Sequence, residues 1–217
     1  MKFENTEVWG FEHAIRGMRN PVNSWERSDS GYVDKRFNDQ FHIGSHDKVL
    51  MKKLINAGPE HRKFLRQIFI SVDITAPLYW WKEFDTYKVG TVANSCSTMH
   101  KLKDTPITVD LFEMGDFADS DKESNTYNLY TKAIWQKLID HLEALRKEFN
   151  ETKDKRYWKE LIRLLPESWL QKRTVTMSYE NVANMYSQRM NHKLTEWSKD
   201  FIQWADSLPY FKELFTN

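Results

Sequence analysis

The chain has 217 residues, with 32 Lys plus Arg against 31 Asp plus Glu, a formal net charge of +1, and 13 Phe, 9 Trp and 9 Tyr. That balance excludes the broad basic stripe with which proteins grip nucleic-acid polymers, although a local pocket for one phosphate stays open. The single cysteine, Cys96, excludes an intrachain disulfide and a cysteine-built zinc site. The length predicts one domain spanning 1–217, with aromatic bulk enough for a core or a subunit interface. The opening "MKFENTEVWGFEHAIRGM" lacks the apolar centre of a signal peptide, and no apolar run approaches the roughly 18 residues of a membrane span. With one cysteine, this reads as a soluble cytoplasmic protein without a membrane partner.

In chain order, "SHDKVLMKKLINA" (45–57) reads as a helix, with Ser45 suited to the N-cap, Leu50 and Leu54 on one face, and Gly58 suited to the stop. "QIFISVDI" (67–74) alternates Ile68, Ile70, Val72 and Ile74 with other side chains, the period of a strand. Pro77 fits the first turn of a short helix, "PLYWWKEFDTY". Residues 97–124 read as irregular. A long helix follows from about 125 to 150, where Tyr127, Tyr130, Ile134, Leu138, Leu142, Leu145 and Phe149 form one buried stripe. "KDKRYWKELIRLLP" is a second helix, stopped at Pro166. "QKRTVTMS" (171–178) reads as a strand, and Ser178 as the cap of the helix "YENVANMYSQRMNH". The last main helix, "LTEWSKDFIQWADSL", carries Trp197, Phe201 and Trp204 on one face. The sum is a helix-rich α/β (α+β mixed) domain with a small sheet.

Signatures of a nucleophile elbow, a phosphate loop and a zinc protease are absent. His42 and His46 stand four apart with no third ligand nearby, which reads as a surface pair. The acidic run Asp116, Asp119, Asp121 and Glu123 lacks the glycine of a calcium loop and reads as solvated. Cys96 has no activating partner nearby in sequence.

Against this charged background, "TYKVGTVANSCSTMH" (86–100) stands out for small, hydroxylated or amide side chains, and reads either as a spacer or as a loop shaped around a ligand. Two arginines invite the same question. Arg163 lies among leucines in "ELIRLLP", and Arg189 follows Met185 and Tyr186 on a helix that also carries Asn184. An arginine among apolar residues needs an acceptor, because an unpaired buried charge is costly. A carboxylate would serve, and so would a phosphate or a pyrimidine edge.

These residues together resemble the flavin-dependent thymidylate synthase family. Its members carry an arginine ahead of a Leu-Pro pair, a threonine-bearing strand, and a helix reading Asn-x-Arg-x-x-x-Asn-x-x-x-x-Arg. "RLLPESWLQKRTVTMSYENVANMYSQR" supplies Arg163, Leu165-Pro166, Asn184 and Arg189 without a gap, with Ser178 and Glu180 replacing the first asparagine and the middle arginine. "HKLTEW" is similar to the family's His-Ala-Gln-x-Glu segment. Eight residues on from Ala76-Pro77, "TYKVGTVANSCSTMH" begins where the family keeps its signature Arg-His-Arg-x-x-Ser-x-Asn-Glu-x-Ser-x-Arg-Tyr. Asn94 and Ser97 match it, whereas Thr86, Tyr87 and Lys88 stand for Arg-His-Arg, Thr91 for the first serine, and Ser95, Met99 and His100 for Glu, Arg and Tyr.

The resemblance implies an enzyme that transfers a one-carbon unit from methylene-tetrahydrofolate to C5 of dUMP or a related pyrimidine nucleotide, with FAD as cofactor and NADPH as reductant, in a homotetramer. It implies that Arg163, Ser97 and Asn94 approach the nucleotide, that Arg189 binds and polarises the pyrimidine ring, and that Tyr87, Lys88, Thr91 and Asn184 lie near the flavin. Such chemistry needs no protein nucleophile and no metal, because flavin and folate bring the reactive centres. The replaced signature residues leave a second reading, a non-catalytic nucleotide-binding or regulatory descendant of the same scaffold.

Overall fold

Strict alternation of Ile68, Ile70, Val72 and Ile74, all fully buried, drives the most regular strand of the molecule, Phe69–Pro77. A computed structural model of the chain describes residues 1–32, 41–114 and 126–216, apart from the side chains of residues 100 and 126–129. The acidic run 116–123 lies outside the described residues, as do the side chains of Tyr127 and His100. In chain order the elements are β1 (Lys2–Trp9), α1 (Phe11–Arg19), β2 (Gly31–Tyr32), β3 (Phe41–His42), α2 (Ser45–Asn56), β4 (Phe69–Pro77), α3 (Leu78–Phe84) and β5 (Val92–Ser95). There follow α4 (Thr98–Lys101), α5 (Thr126–Thr152), α6 (Lys155–Leu164), β6 (Leu170–Ser178), α7 (Tyr179–Arg189), a π-helical turn (Glu196–Phe201), α8 (Ile202–Ser207) and α9 (Phe211–Phe215). A small antiparallel sheet takes the order β1–β4–β6–β5, and β2 pairs with β3 through Gly31↔His42 and Tyr32↔Phe41. No described helix is long and apolar enough to cross a membrane.

The chain forms two compact units, one made of Met1, Thr75–Thr86 and Asn94–Arg173, the other of Lys2–Ile74, Tyr87–Ala93 and Thr174–Asn217. In the first, α5 and α6 form a helical hairpin, closed by Lys153 at φ 58 and by the Asp154 carboxylate, which caps α6 at the Arg156 N–H. Ile139, Leu142, Leu145 and Leu161 pack there with Phe112 and Trp169. The long stripe is buried over only part of its length. Tyr130 and Ile134 are 71% and 57% exposed, and burial begins at Leu138. The reason is reach: at 1.5 Å per residue the 10 residues of α6 span about 15 Å, whereas the 27 of α5 span about 40 Å. Trp80, Trp81 and Phe84 of α3 form a second buried aromatic cluster, with ring centroids 4.9–5.4 Å apart.

The second unit holds a chain of buried aromatic rings. Phe11 meets Tyr179, Tyr179 and Tyr186 meet Phe211, and Trp197, Phe201 and Trp204 follow one another along the C-terminal helices. Trp197, Phe201 and Trp204 share a buried face as their spacing predicts, but the helix opens as a π turn before continuing as α8. Ser178 caps α7 as expected: its hydroxyl accepts the Asn181 N–H while the Asn181 side chain accepts the Ser178 N–H. Burial holds the Tyr179 hydroxyl pKa above its ordinary value, and the hydroxyl donates to the Pro209 carbonyl at 2.7 Å.

Helix α2 starts differently from the sequence expectation. Its N-cap residue is Gly44, not Ser45, and its cap is the distant Asp29 carboxylate, which accepts from His46 N–H (2.9 Å), Asp47 N–H (3.1 Å) and the Ser45 hydroxyl. A Cβ on Gly44 would stand 2.1 Å from the Asp29 Cγ, so only glycine lets the carboxylate in. One turn on, fully buried Asp47 accepts from Arg19 Nε and from the Ser28 and Ser30 hydroxyls. Arg19 in turn donates to the Ser24 and Arg27 carbonyls. This knot of polar side chains fastens α1 to α2.

Candidate functional site

Helix α7 presents Asn181, Asn184 and Gln188 at spacings of three and four, so the three amides line one face. The loop Tyr87–Thr91 runs beside that face within the second unit. Asn181 Nδ2 donates to the Val89 carbonyl at 2.7 Å, and the Tyr87 hydroxyl donates to Gln188 Oε1 at 2.9 Å. The Thr91 hydroxyl closes the turn on the Tyr87 carbonyl at 2.7 Å. Gly90 sits at φ 78, and a Cβ there would lie 3.1 Å from Asn181 Oδ1. This close approach, together with the left-handed backbone, explains the glycine of "YKVGT". Thr91 is half-buried, while Lys88 is exposed and is the one cation of this turn.

Arg189 closes α7, half-buried. Its guanidinium carbon lies 4.9 Å from the ring centre of the fully buried Trp197 and 5.5 Å from that of Tyr87, and its Nε donates to the Tyr87 hydroxyl at 2.9 Å. His192 meets Trp197 edge to face, with ring centroids 6.5 Å apart. Aromatic faces attract the cation, by about 0.5–2 kcal/mol as water is excluded.

Asn184 is fixed from behind by a cluster that sequence reasoning passed over. Glu180, 8% exposed, is hydrogen-bonded to Arg66 Nε and lies 3.5 Å from Arg62 Nε. Arg62 Nη2 donates to Asn184 Oδ1 at 2.8 Å. The bond that Arg66 donates to Glu180 raises the Arg66 pKa. An arginine has no acceptor, so it dictates the amide's orientation: the oxygen faces Arg62, and Asn184 offers any other partner its N–H groups. The signal for this cluster was the spacing of Arg62 and Arg66 in "EHRKFLRQ", legible only once Glu180 is known to be buried.

The first unit holds the other sequence-predicted residues. Arg163 is not embedded among leucines. Its side chain is 60% exposed and pairs with Glu160 at 3.0 Å, because neighbours in sequence on a helix point about 100° apart: Leu161 is fully buried, with Ile162 and Leu165 partly buried against the same core, while Arg163 and Leu164 face outward. Asn94 and Cys96 are exposed and Ser97 half-buried, on and just after β5, where the Cys96 N–H donates to the Lys172 carbonyl at 2.8 Å. The stretch 86–100 is therefore not one loop but a turn, the strand β5 and the helix α4. Nearby, Gln171 donates to the Cys96 carbonyl, while Arg173 pairs with Asp85 at 2.8 Å and stacks 4.2 Å over Trp81. His46 lies 3.6 Å from Asp29, at the cap of α2.

The fold defines a class: the helix-rich mixed α/β fold of flavin-dependent thymidylate synthases. Over its whole length the chain is similar to a solved structure of the flavin-dependent thymidylate synthase ThyX from Helicobacter pylori complexed with FAD and dUMP. That likeness has a TM-score of 0.68 at 19% identity and covers 100% of this chain and 98% of that one. A second solved structure of Helicobacter pylori ThyX with FAD and dUMP gives a TM-score of 0.67, with the same identity and coverage. No family model matches the chain, and no curated protein matches it. At 19% identity the likeness is one of fold.

Proposed function

We propose that residues 1–217 act as one flavin-dependent thymidylate synthase-like domain. It binds FAD and dUMP, or a related pyrimidine nucleotide, and transfers a one-carbon unit from methylene-tetrahydrofolate to pyrimidine C5. The observation that carries this reading is Arg189, a donor-only group packed against the Tyr87 and Trp197 rings, in a fold shared with proteins solved with FAD and dUMP. Its planar fork suits the carbonyl edge of a pyrimidine, whose C5–C6 bond is polarised when that edge is bound.

The remaining roles are assigned unit by unit. In the first, Asn94, Ser97 and Arg163 contact the nucleotide. Arg163 can exchange Glu160 for a phosphate, because an exposed pair three residues apart contributes only a few tenths of a kcal/mol. In the second, the Asn184 N–H groups, Lys88, Thr91 and the Tyr87 ring border the flavin, and the donors among them, Asn184 and Lys88, fit its acceptor-rich ring edge. Bound reduced flavin, replenished by NADPH, supplies the reducing equivalents; the chain's part is to bind, orient and polarise. A cytoplasmic homotetramer belongs to the same proposal.

The test is turnover: purified protein given dUMP, methylene-tetrahydrofolate, FAD and NADPH forms dTMP, and Arg189→Ala forms none. A second reading, nucleotide binding without turnover, is favoured by the solvent-facing Arg163. It predicts dUMP binding with no dTMP, and dTMP formation excludes it.

A further inference from the structure

Resting on the reading of Asn184 as a flavin contact, we propose that Arg62 is its positioning residue. The guanidinium locks the amide with both N–H groups outward and backs them with a fixed positive charge. The site thereby binds reduced flavin, the more negative form, more tightly than oxidised flavin. Arg62 Nη2 donates to Asn184 Oδ1 at 2.8 Å. A flipped amide would set its N–H groups against a group that has no acceptor, which disfavours it by at least about tenfold. Among the described residues the amide nitrogen has no partner, and Asn184 is half-buried rather than sealed in the core.

Arg62 is itself held from the other side. Its side chain is 20% exposed, its Nε is buried, and Glu180 Oε1 lies 3.5 Å from that nitrogen. The carboxylate thus takes the Nε side and leaves Nη2 turned to the amide. The backbone is fixed as well: the Arg62 N–H donates to the Gly58 carbonyl at 3.2 Å, and the Arg62 carbonyl accepts from the Leu65 N–H at 3.0 Å. Glu180 serves both Arg62 and Arg66, while Glu60, which also acts on Arg66, pairs with Lys63 at 3.5 Å. Two guanidiniums against one carboxylate leave one positive charge. Water screens Arg62 the less of the two, because Arg66 is 53% exposed. Reduction adds negative charge to a flavin, so a cation one amide away favours the reduced form.

The test is anaerobic titration of the full-length protein with oxidised and with reduced FAD, beside the melting temperature of the FAD-free protein. Three variants are compared with the parent: Arg62→Gln removes the charge, Arg62→Lys keeps it, and Asn184→Asp replaces the outward N–H groups by an oxygen. Arg62→Gln should weaken reduced FAD about tenfold more than oxidised FAD, a fall of about 30 mV in the midpoint of the bound flavin. Arg62→Lys should hold the preference within about threefold of the parent. Asn184→Asp should melt no lower than the parent, since its carboxylate pairs with Arg62, yet bind FAD about tenfold more weakly. Equal weakening of both FAD forms by Arg62→Gln, as a purely structural tie would give, overturns the proposal. So does an Asn184→Asp variant that binds FAD like the parent, a result that does not depend on Arg62→Gln folding. FAD bound by the parent with an unmoved preference in Arg62→Gln defeats this inference alone, whereas a parent that takes up no FAD defeats the flavin reading and this inference with it.

Discussion

Replacing Glu180 by alanine strands a buried cation. The Glu180 side chain is 11% exposed, and its two partners differ sharply: Arg66 is 53% exposed and Arg62 is 20% exposed. Breaking a wholly buried pair costs about 3–5 kcal/mol, chiefly for the charge left behind. Arg66 can turn into water, so the penalty falls on Arg62, whose Nε is already buried without a hydrogen bond. We therefore expect Glu180→Ala to lose about 2–3 kcal/mol. Glu180→Gln, which keeps an acceptor but not the charge, loses about 1–2 kcal/mol. In urea, with a slope of about 2 kcal/mol/M, the alanine variant should unfold at a midpoint about 1 M lower. Arg62→Ala should destabilise more than Arg66→Ala, since an exposed partner contributes under about 1 kcal/mol. An alanine variant within about 0.5 kcal/mol of the parent would refute the reasoning, because Glu180 would then not be satisfying Arg62.

Two further predictions concern the backbone around the second unit. The His46 N–H, helped by the Asp47 N–H and the Ser45 hydroxyl and opposed by burial, lowers the Asp29 pKa from 3.8 to about 2. Its stabilisation is therefore complete above about pH 4 and vanishes as the pH falls through about 2. Asp29→Ala should lose about 1 kcal/mol at pH 7, the usual contribution of a helix cap. Acid titration of melting temperature should show the parent and variant converging below pH 2; a gap that persists there would contradict the assignment. Gly90→Ala meets both a left-handed backbone at φ 78 and a contact 3.1 Å from Asn181 Oδ1. It should cost about 1–2 kcal/mol and raise proteolytic cleavage in the turn; a variant cut no faster than the parent would show that the turn is not pinned there.

Much of the fold was legible because its signals are local. The period of two in 68–74, the proline after Leu165 and the serine before "YENVANMY" each fix one element without reference to anything distant. What could not be read was what depends on long-range partners. The cap of α2 comes from Asp29, 17 and 18 residues ahead of the two N–H groups it accepts, so Ser45 took the cap's place in the sequence reading. The exposure of Tyr130 and Ile134 depends on how far α6 reaches, not on their own spacing. The site shows the same division. Arg189 and Asn184 were found by their order along α7, whereas the groups that aim them, Tyr87 and Arg62, come from residues about 100 and 120 positions away. Arg163 misled because leucines adjacent in sequence were read as adjacent in space.

The most direct measurement is the absorbance spectrum of the purified protein, taken before and after addition of FAD and then of dUMP. Bound flavin should survive gel filtration as a yellow protein, dUMP should shift the flavin band, and Arg189→Ala should keep the flavin while losing the response to dUMP. A colourless protein that takes up no FAD and whose melting temperature is unmoved by dUMP would contradict the account at its centre.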